Sequence, residues 1–60
     1  MTEQINVGDT VTFIDQFGKE QISTVTRIVP KGEYSEYEEA YAIEGTYGTY
    51  VRVRDEIRKQ

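Results

Sequence analysis

Sixty residues with eleven acids and seven bases, a net charge of −4 and neither cysteine nor histidine point to one acidic domain over residues 1–60. Such a chain has no disulfide and no zinc or iron–sulfur site of the usual kind. So short a chain buries only about 60% of the surface it exposes when unfolded, which leaves roughly 3–5 kcal/mol of stability from one small apolar cluster. The negative charge argues against bulk attraction to nucleic acid or anionic membranes.

At the start, "MTEQINVGD" is polar and acidic where a secretory signal would be basic and then apolar. No apolar run approaches the roughly 20 residues that cross a bilayer, so the expectation is a soluble, unexported, cytoplasmic protein. "GDTVTFID" alternates Val11 and Phe13 against Thr10, Thr12 and Ile14 and is rich in β-branched residues, a strand signal. "DQFGK" should reverse the chain, because Gly18 is free to take a positive φ. "EQISTVTRIV" is a second β-branched run whose Ile22, Val25 and Ile28 fall three apart. That spacing breaks strict alternation, and the β-branched content disfavours a helix, so the reading is a strand with a bulge near Thr26–Arg27. Pro30 and Gly32 end it.

Next comes "EYSEYEEAY", Glu33 to Tyr41, with three tyrosines and four glutamates. On a helix, Tyr34, Tyr37 and Tyr41 share a face and Ser35 with Glu38 makes a capping box; on a strand, Tyr37, Glu39, Tyr41 and Ile43 share a face. An ordered loop with one helical turn is the expectation, since so short a helix is marginal without packing. "AYAIEG" alternates Tyr41 and Ile43 against Ala40, Ala42 and Glu44, and "GTYG" at Gly45 to Gly48 is a turn. "TYVRVR" alternates again, read as Val51 and Val53 inward with Tyr50, Arg52 and Arg54 outward. A tight turn at Arg54–Glu56 should bring Ile57 back onto the core. The expected core is Val11, Phe13, Ile22, Val25, Ile28, Ile43, Val51, Val53 and Ile57.

A Gly-Asp before the first strand, a glycine turn, a long bent second strand, a variable loop, two short strands and a one-turn "DEI" before "RK" follow one another from Val7 to Lys59. In this order of parts the chain resembles the SH3-like small barrels, the broad group that includes KOW, Tudor-like and many bacterial and phage accessory domains. The resemblance implies an all-β, five-stranded SH3-like barrel with one short helical turn near the C-terminus. "VGDTV" and "VRVRDEIRK" place the fold and carry no chemistry, and the chain lacks the tryptophans of signalling SH3 domains, so it implies no ligand.

Without histidine or cysteine, catalysis would fall to carboxylates, Lys19 or hydroxyls. Glu36 and Glu39 can be drawn as an acid–base pair, but solvated loop glutamates in so small a domain have little room for a water-excluding pocket, so the expectation is no enzyme. "EYSEYEE" lacks the Asp/Asn alternation and the glycine of a calcium loop, and "EGTYGTY" precedes a strand where a phosphate loop needs a helix. No metal and no cofactor is expected. Charge is unevenly spread: residues 1–51 carry nine acids against Lys19, Arg27 and Lys31, while the last nine residues carry Arg52, Arg54, Arg58 and Lys59 against Asp55 and Glu56.

Two surfaces emerge as candidates. The first is partner-binding: Tyr34, Glu36, Tyr37, Glu38, Glu39 and Tyr41, offering aromatic contact and negative charge to a basic protein surface. The competing reading lays these tyrosines over the barrel's open end as extra core. The alternative surface is a nucleic-acid face of Tyr50, Arg52, Arg54, Arg58 and Lys59, of the kind that KOW and Tudor-like barrels use, against which outward arginines can simply protect an edge strand. A third possibility is an acidic mimic of DNA that inhibits a host or defence enzyme. The expectation is a non-enzymatic interaction module of a small bacterial or phage protein.

Overall fold

The computed structural model describes residues 4–60. Strand β1 spans Thr10–Ile14, β2 Glu20–Val29, β3 Ala40–Gly45 and β4 Gly48–Val53; a 3-10 turn at Arg54–Glu56 then leads into β5, Ile57–Lys59. Every pairing is antiparallel, in the order β4-β3-β2-β1-β5. The ten-residue β2 is shared, its first half paired with β1 and its second with β3. The fold is all-β with five strands and no α-helix among the described residues, and the sheet is open, with β4 and β5 at its edges. No helix there is long and apolar enough to cross a membrane.

The bulge in β2 is present. Val25 pairs with Ile43 and Arg27 with Ala42, so Thr26 is the extra residue, and its hydroxyl donates to the Ala42 carbonyl at 3.3 Å. One inserted residue flips the side-chain parity, which is how Val25 and Ile28 both face the core. Ile22 has no such help. It pairs with Thr12, out of phase with the core residues Val11 and Phe13, and is exposed, a correction to the expected core; Gln21 and Ser23 pair with Phe13 and Val11 instead.

The main core holds Ile5, Val11, Phe13, Val25, Tyr41, Ile43, Tyr50 and Ile57, with Ile28 packed against it. Ile57 arrives there through the 3-10 turn, as expected. The reading of β4 is inverted. Ile43 pairs with Tyr50, which places Tyr50 inside, its ring 5.2 Å from that of Phe13. Val51 and Val53 face the other way and are half-buried against a second, smaller cluster of Val29, Ala40 and Ala42. Alternation reveals two faces, but where both carry apolar residues only the register says which is inside.

Two turns lie together at one end of the sheet. Between β1 and β2, Gly18 sits at φ +78°, and the Asp15 N–H donates to the Lys19 carbonyl at 2.8 Å. Between β3 and β4, Gly45 pairs with Gly48 across Thr46 and Tyr47. Gly45 is required by close approach: a Cβ there would lie 2.3 and 2.5 Å from two ring carbons of Tyr50.

Candidate functional site

The segment between β2 and β3 is a chain of turns and bends, without the expected helical turn. Its backbone folds back early: the Glu33 N–H donates to the Pro30 carbonyl at 3.1 Å and the Gly32 N–H to the Ser35 carbonyl at 2.6 Å. Ser35, the would-be helix cap, accepts instead from the Tyr37 N–H two residues on, at 3.2 Å. Such local side-chain bonding competes with helix formation and wins here.

The six candidate residues divide. Tyr37 is 85% exposed and Tyr34 53%, while Tyr41 is only 9% exposed and belongs to the core. Tyr41 is the first residue after Ala40 in β3, so it anchors the end of the loop in the core. Glu36 and Glu39 are exposed and Glu38 is half-buried, and none of the three has an ion-pair partner among the described residues. Glu33, by contrast, pairs with Arg27 at 3.3 Å. The loop therefore presents two exposed tyrosine rings and three unpaired carboxylates.

The alternative basic surface comes apart. Tyr50 is in the core, and the Arg52 guanidinium lies 5.1 Å from its ring centroid. Arg52 donates to the Val51 carbonyl at 2.9 Å and reaches the Ile14 carbonyl, at the end of β1, at 3.1 Å. Arg54 donates to the Ile57 carbonyl at 3.1 Å, and Lys59 pairs with Asp9 at 3.4 Å and donates to the Gln4 carbonyl at 3.3 Å. Only Arg58 among the four bases is exposed. Three of the bases thus hold the protein's own backbone or a neighbouring acid.

Two features escape the sequence reading. Asp15 is buried and accepts three hydrogen bonds: from the Phe17 N–H at 2.8 Å, the Lys19 N–H at 2.9 Å and the Gln21 amide at 2.7 Å. The Lys19 N–H bond above all holds its carboxyl below the ordinary value of 3.8; burial opposes this, and the Gln21 and Phe17 bonds and the Lys19 charge add to it. The Gln21 carbonyl oxygen then accepts from the backbone N–H and the hydroxyl of Thr46, at 3.2 and 3.3 Å. Gln21 therefore clasps the two turns together. At their tips, Phe17 and Tyr47 meet edge to face with centroids 5.0 Å apart. An aromatic residue inside a glycine turn, where small polar residues are usual, was the available signal.

An open cleft of about 180 Å³ is lined by Thr12, Phe13, Ile14, Glu20, Asp55, Glu56, Ile57 and Arg58. Glu36 and Glu39, the pair that could be drawn as acid and base, lie outside it. No group of three or more metal-ligating side chains gathers among the described residues. No protein-family model matches the chain, and neither curated proteins nor solved structures show a match to it.

Proposed function

We propose that the chain is a non-enzymatic protein-interaction module of SH3-like small-barrel architecture, and that it docks a basic surface of a partner protein through the loop between β2 and β3. The observation that carries this reading is the 85% exposure of Tyr37, in a loop whose backbone is tied by its own hydrogen bonds. An exposed aromatic ring beside unpaired carboxylates does nothing for the fold, whereas against a partner it supplies contact area with a polar tip. Glu36, Glu38 and Glu39 add long-range attraction toward a basic surface, and Tyr34 widens the contact. The strand order and the shared, bulged β2 support the barrel reading. Arg52 adds to it by spanning from β4 to the end of β1 across the open side of the sheet.

The test compares capture of a partner by the wild-type protein, by Tyr37→Ala and by a variant with Glu36, Glu38 and Glu39 changed to lysine. Both variants should keep the wild-type melting midpoint and lose the partner. Undiminished capture by both would refute the reading.

A further inference from the structure

The Gln21 amide is held from two sides, and its direction is fixed by what holds it. Its Nε2 donates to Asp15 Oδ2 at 2.7 Å, and its Oε1 accepts from the Thr46 N–H at 3.2 Å and the Thr46 hydroxyl at 3.3 Å. A backbone N–H can only donate, so the amide oxygen faces Thr46 for as long as Asp15 is an acceptor. The other carboxylate oxygen, Oδ1, takes the Phe17 and Lys19 N–H groups at 2.8 and 2.9 Å. Those two donors are set by the turn between β1 and β2, which has backbone bonds of its own from the Asp15 N–H to the Lys19 carbonyl and from the Gly18 N–H to the Asp15 carbonyl.

The polarity of this chain of bonds makes it responsive to a proton. On Asp15 the proton goes to Oδ2, because Oδ1 faces two backbone donors that cannot turn away. Asp15 is 6% exposed, so the new O–H points at the Gln21 Nε2–H, donor against donor. Turning the Gln21 amide over restores that bond, with Oε1 now accepting from Asp15. The same rotation aims Nε2 at Thr46. The Thr46 hydroxyl can turn and accept, but the Thr46 N–H has lost its acceptor and is left to water, which reaches this exposed residue.

We propose that Asp15, Gln21 and Thr46 form a proton-sensitive latch, in which protonation of Asp15 reverses the Gln21 amide, frees the turn between β3 and β4 at Thr46 and parts Tyr47 from Phe17. Charged groups near the latch are Lys19 in the same turn as Asp15, Glu20 on β2, Glu44 on β3 and Arg52 of β4, whose guanidinium stops at the Ile14 carbonyl. The Lys19 charge favours the ionised carboxyl, and none of the four forms an ion pair with it. With its carboxyl below the ordinary 3.8, chiefly through the Lys19 N–H bond, Asp15 keeps the latch closed above that value; it opens as pH falls through the folded value. The turn lies at the other end of β3 from the acidic loop, so the proposal is independent of the loop's role.

The experiment follows the Asp15 carboxyl, the Gln21 side-chain amide and the Thr46 backbone amide of the full chain by nuclear magnetic resonance from neutral to acidic pH. All three should shift with one midpoint, the Thr46 proton moving upfield as it leaves its acceptor. In Gln21→Ala, Asp15 should still titrate and Thr46 should no longer follow it. Asp15→Asn presents an N–H where Oδ2 stood, so at neutral pH its Thr46 shift should already match the acid end of the wild-type titration. Thr46 unmoved by the Asp15 titration, Thr46 following it equally in Gln21→Ala, or a wild-type Thr46 shift in Asp15→Asn would each overturn the proposal. Collapse of the whole spectrum in step with Asp15, or in Asp15→Asn at neutral pH, would overturn it as well, by making the carboxylate a support of the entire fold.

Discussion

Replacing Tyr37 and Tyr41 by alanine, one at a time, separates a docking tyrosine from a core tyrosine in one loop and its adjoining strand. Tyr41 is 9% exposed and packs in the cluster with Phe13, Ile43 and Tyr50. Removing a buried aromatic of that size costs about 3–5 kcal/mol, which is near the whole stability of so small a domain. Tyr37 is 85% exposed, so its side chain gains little on folding, and its backbone N–H bond to Ser35 survives the substitution. Its removal should stay within about 0.5 kcal/mol. Urea titration followed by far-ultraviolet circular dichroism reads both variants without any partner. Tyr41→Ala should be largely unfolded in buffer, and Tyr41→Phe, which keeps the ring, should recover most of the midpoint. A fall in midpoint for Tyr37→Ala comparable to that of Tyr41→Ala would refute the reasoning, because it would make Tyr37 part of the folding core.

Three further outcomes are expected. Gly45→Ala should cost about 1–3 kcal/mol by overpacking, because its Cβ would meet the Tyr50 ring at 2.3 Å while Phe13 holds that ring from another side; a double variant with Tyr50→Leu should recover part of the loss in the same urea assay. Asp15 has a folded value below 3.8, so its contribution is present above pH 3.8 and lost as pH falls through the folded value. The stability difference between wild type and Asp15→Asn should therefore shrink as pH falls below that point, and a constant difference from neutral to strongly acidic pH would contradict the role given to its charge. Single-stranded DNA or RNA should show no salt-sensitive micromolar binding, and Arg52→Glu should lower stability where a nucleic-acid face would have lowered only affinity.

How much of this was legible in the sequence depended on whether a pattern had one reading or two. The first four strands, the bulge near Thr26–Arg27 and the return of Ile57 through a tight turn were legible because each rests on local rules: alternation and β-branched runs, a parity break and a short span between apolar residues; β5 at Ile57–Lys59 was not, because three residues carry no such pattern. The inside of β4 was not, since Tyr50 and Val51 are both apolar enough to be core and only the pairing of Ile43 with Tyr50 decides. Ile22 misled for a related reason: the bulge lies after it, so the three-residue spacing to Val25 is a change of face. Of the candidate loop, its acidity was visible, and so was the signal that sets Tyr41 apart from Tyr37: in "AYAIEG" it alternates in step with the expected core residue Ile43, but grouping it with the loop's other tyrosines overrode that pattern. The clasp was out of reach, because Gln21 and Thr46 lie 25 positions apart and meet only through the fold.

An open sheet raises the question of why contacts should be made by turns and loops when an edge strand offers ready hydrogen bonds. Edge strands pair promiscuously unless something blocks them. On β4, the Val51 carbonyl is taken by the Arg52 guanidinium, and the Val53 N–H donates to the Glu56 carboxylate at 3.2 Å. The second nitrogen of the same guanidinium reaches the Ile14 carbonyl, so an incoming strand would have to break a bridge between β4 and β1 as well as a bond on β4 itself. Arg52 therefore serves the fold in two ways, shielding an edge and tying β4 to β1, and a side chain so engaged is not available to a ligand. With the strands' apolar side chains largely committed to two cores and β4's edge guarded, the aromatic surface left exposed is chiefly at the ends of the strands: Tyr34 and Tyr37 at one end of β2 and β3, Phe17 and Tyr47 at the other.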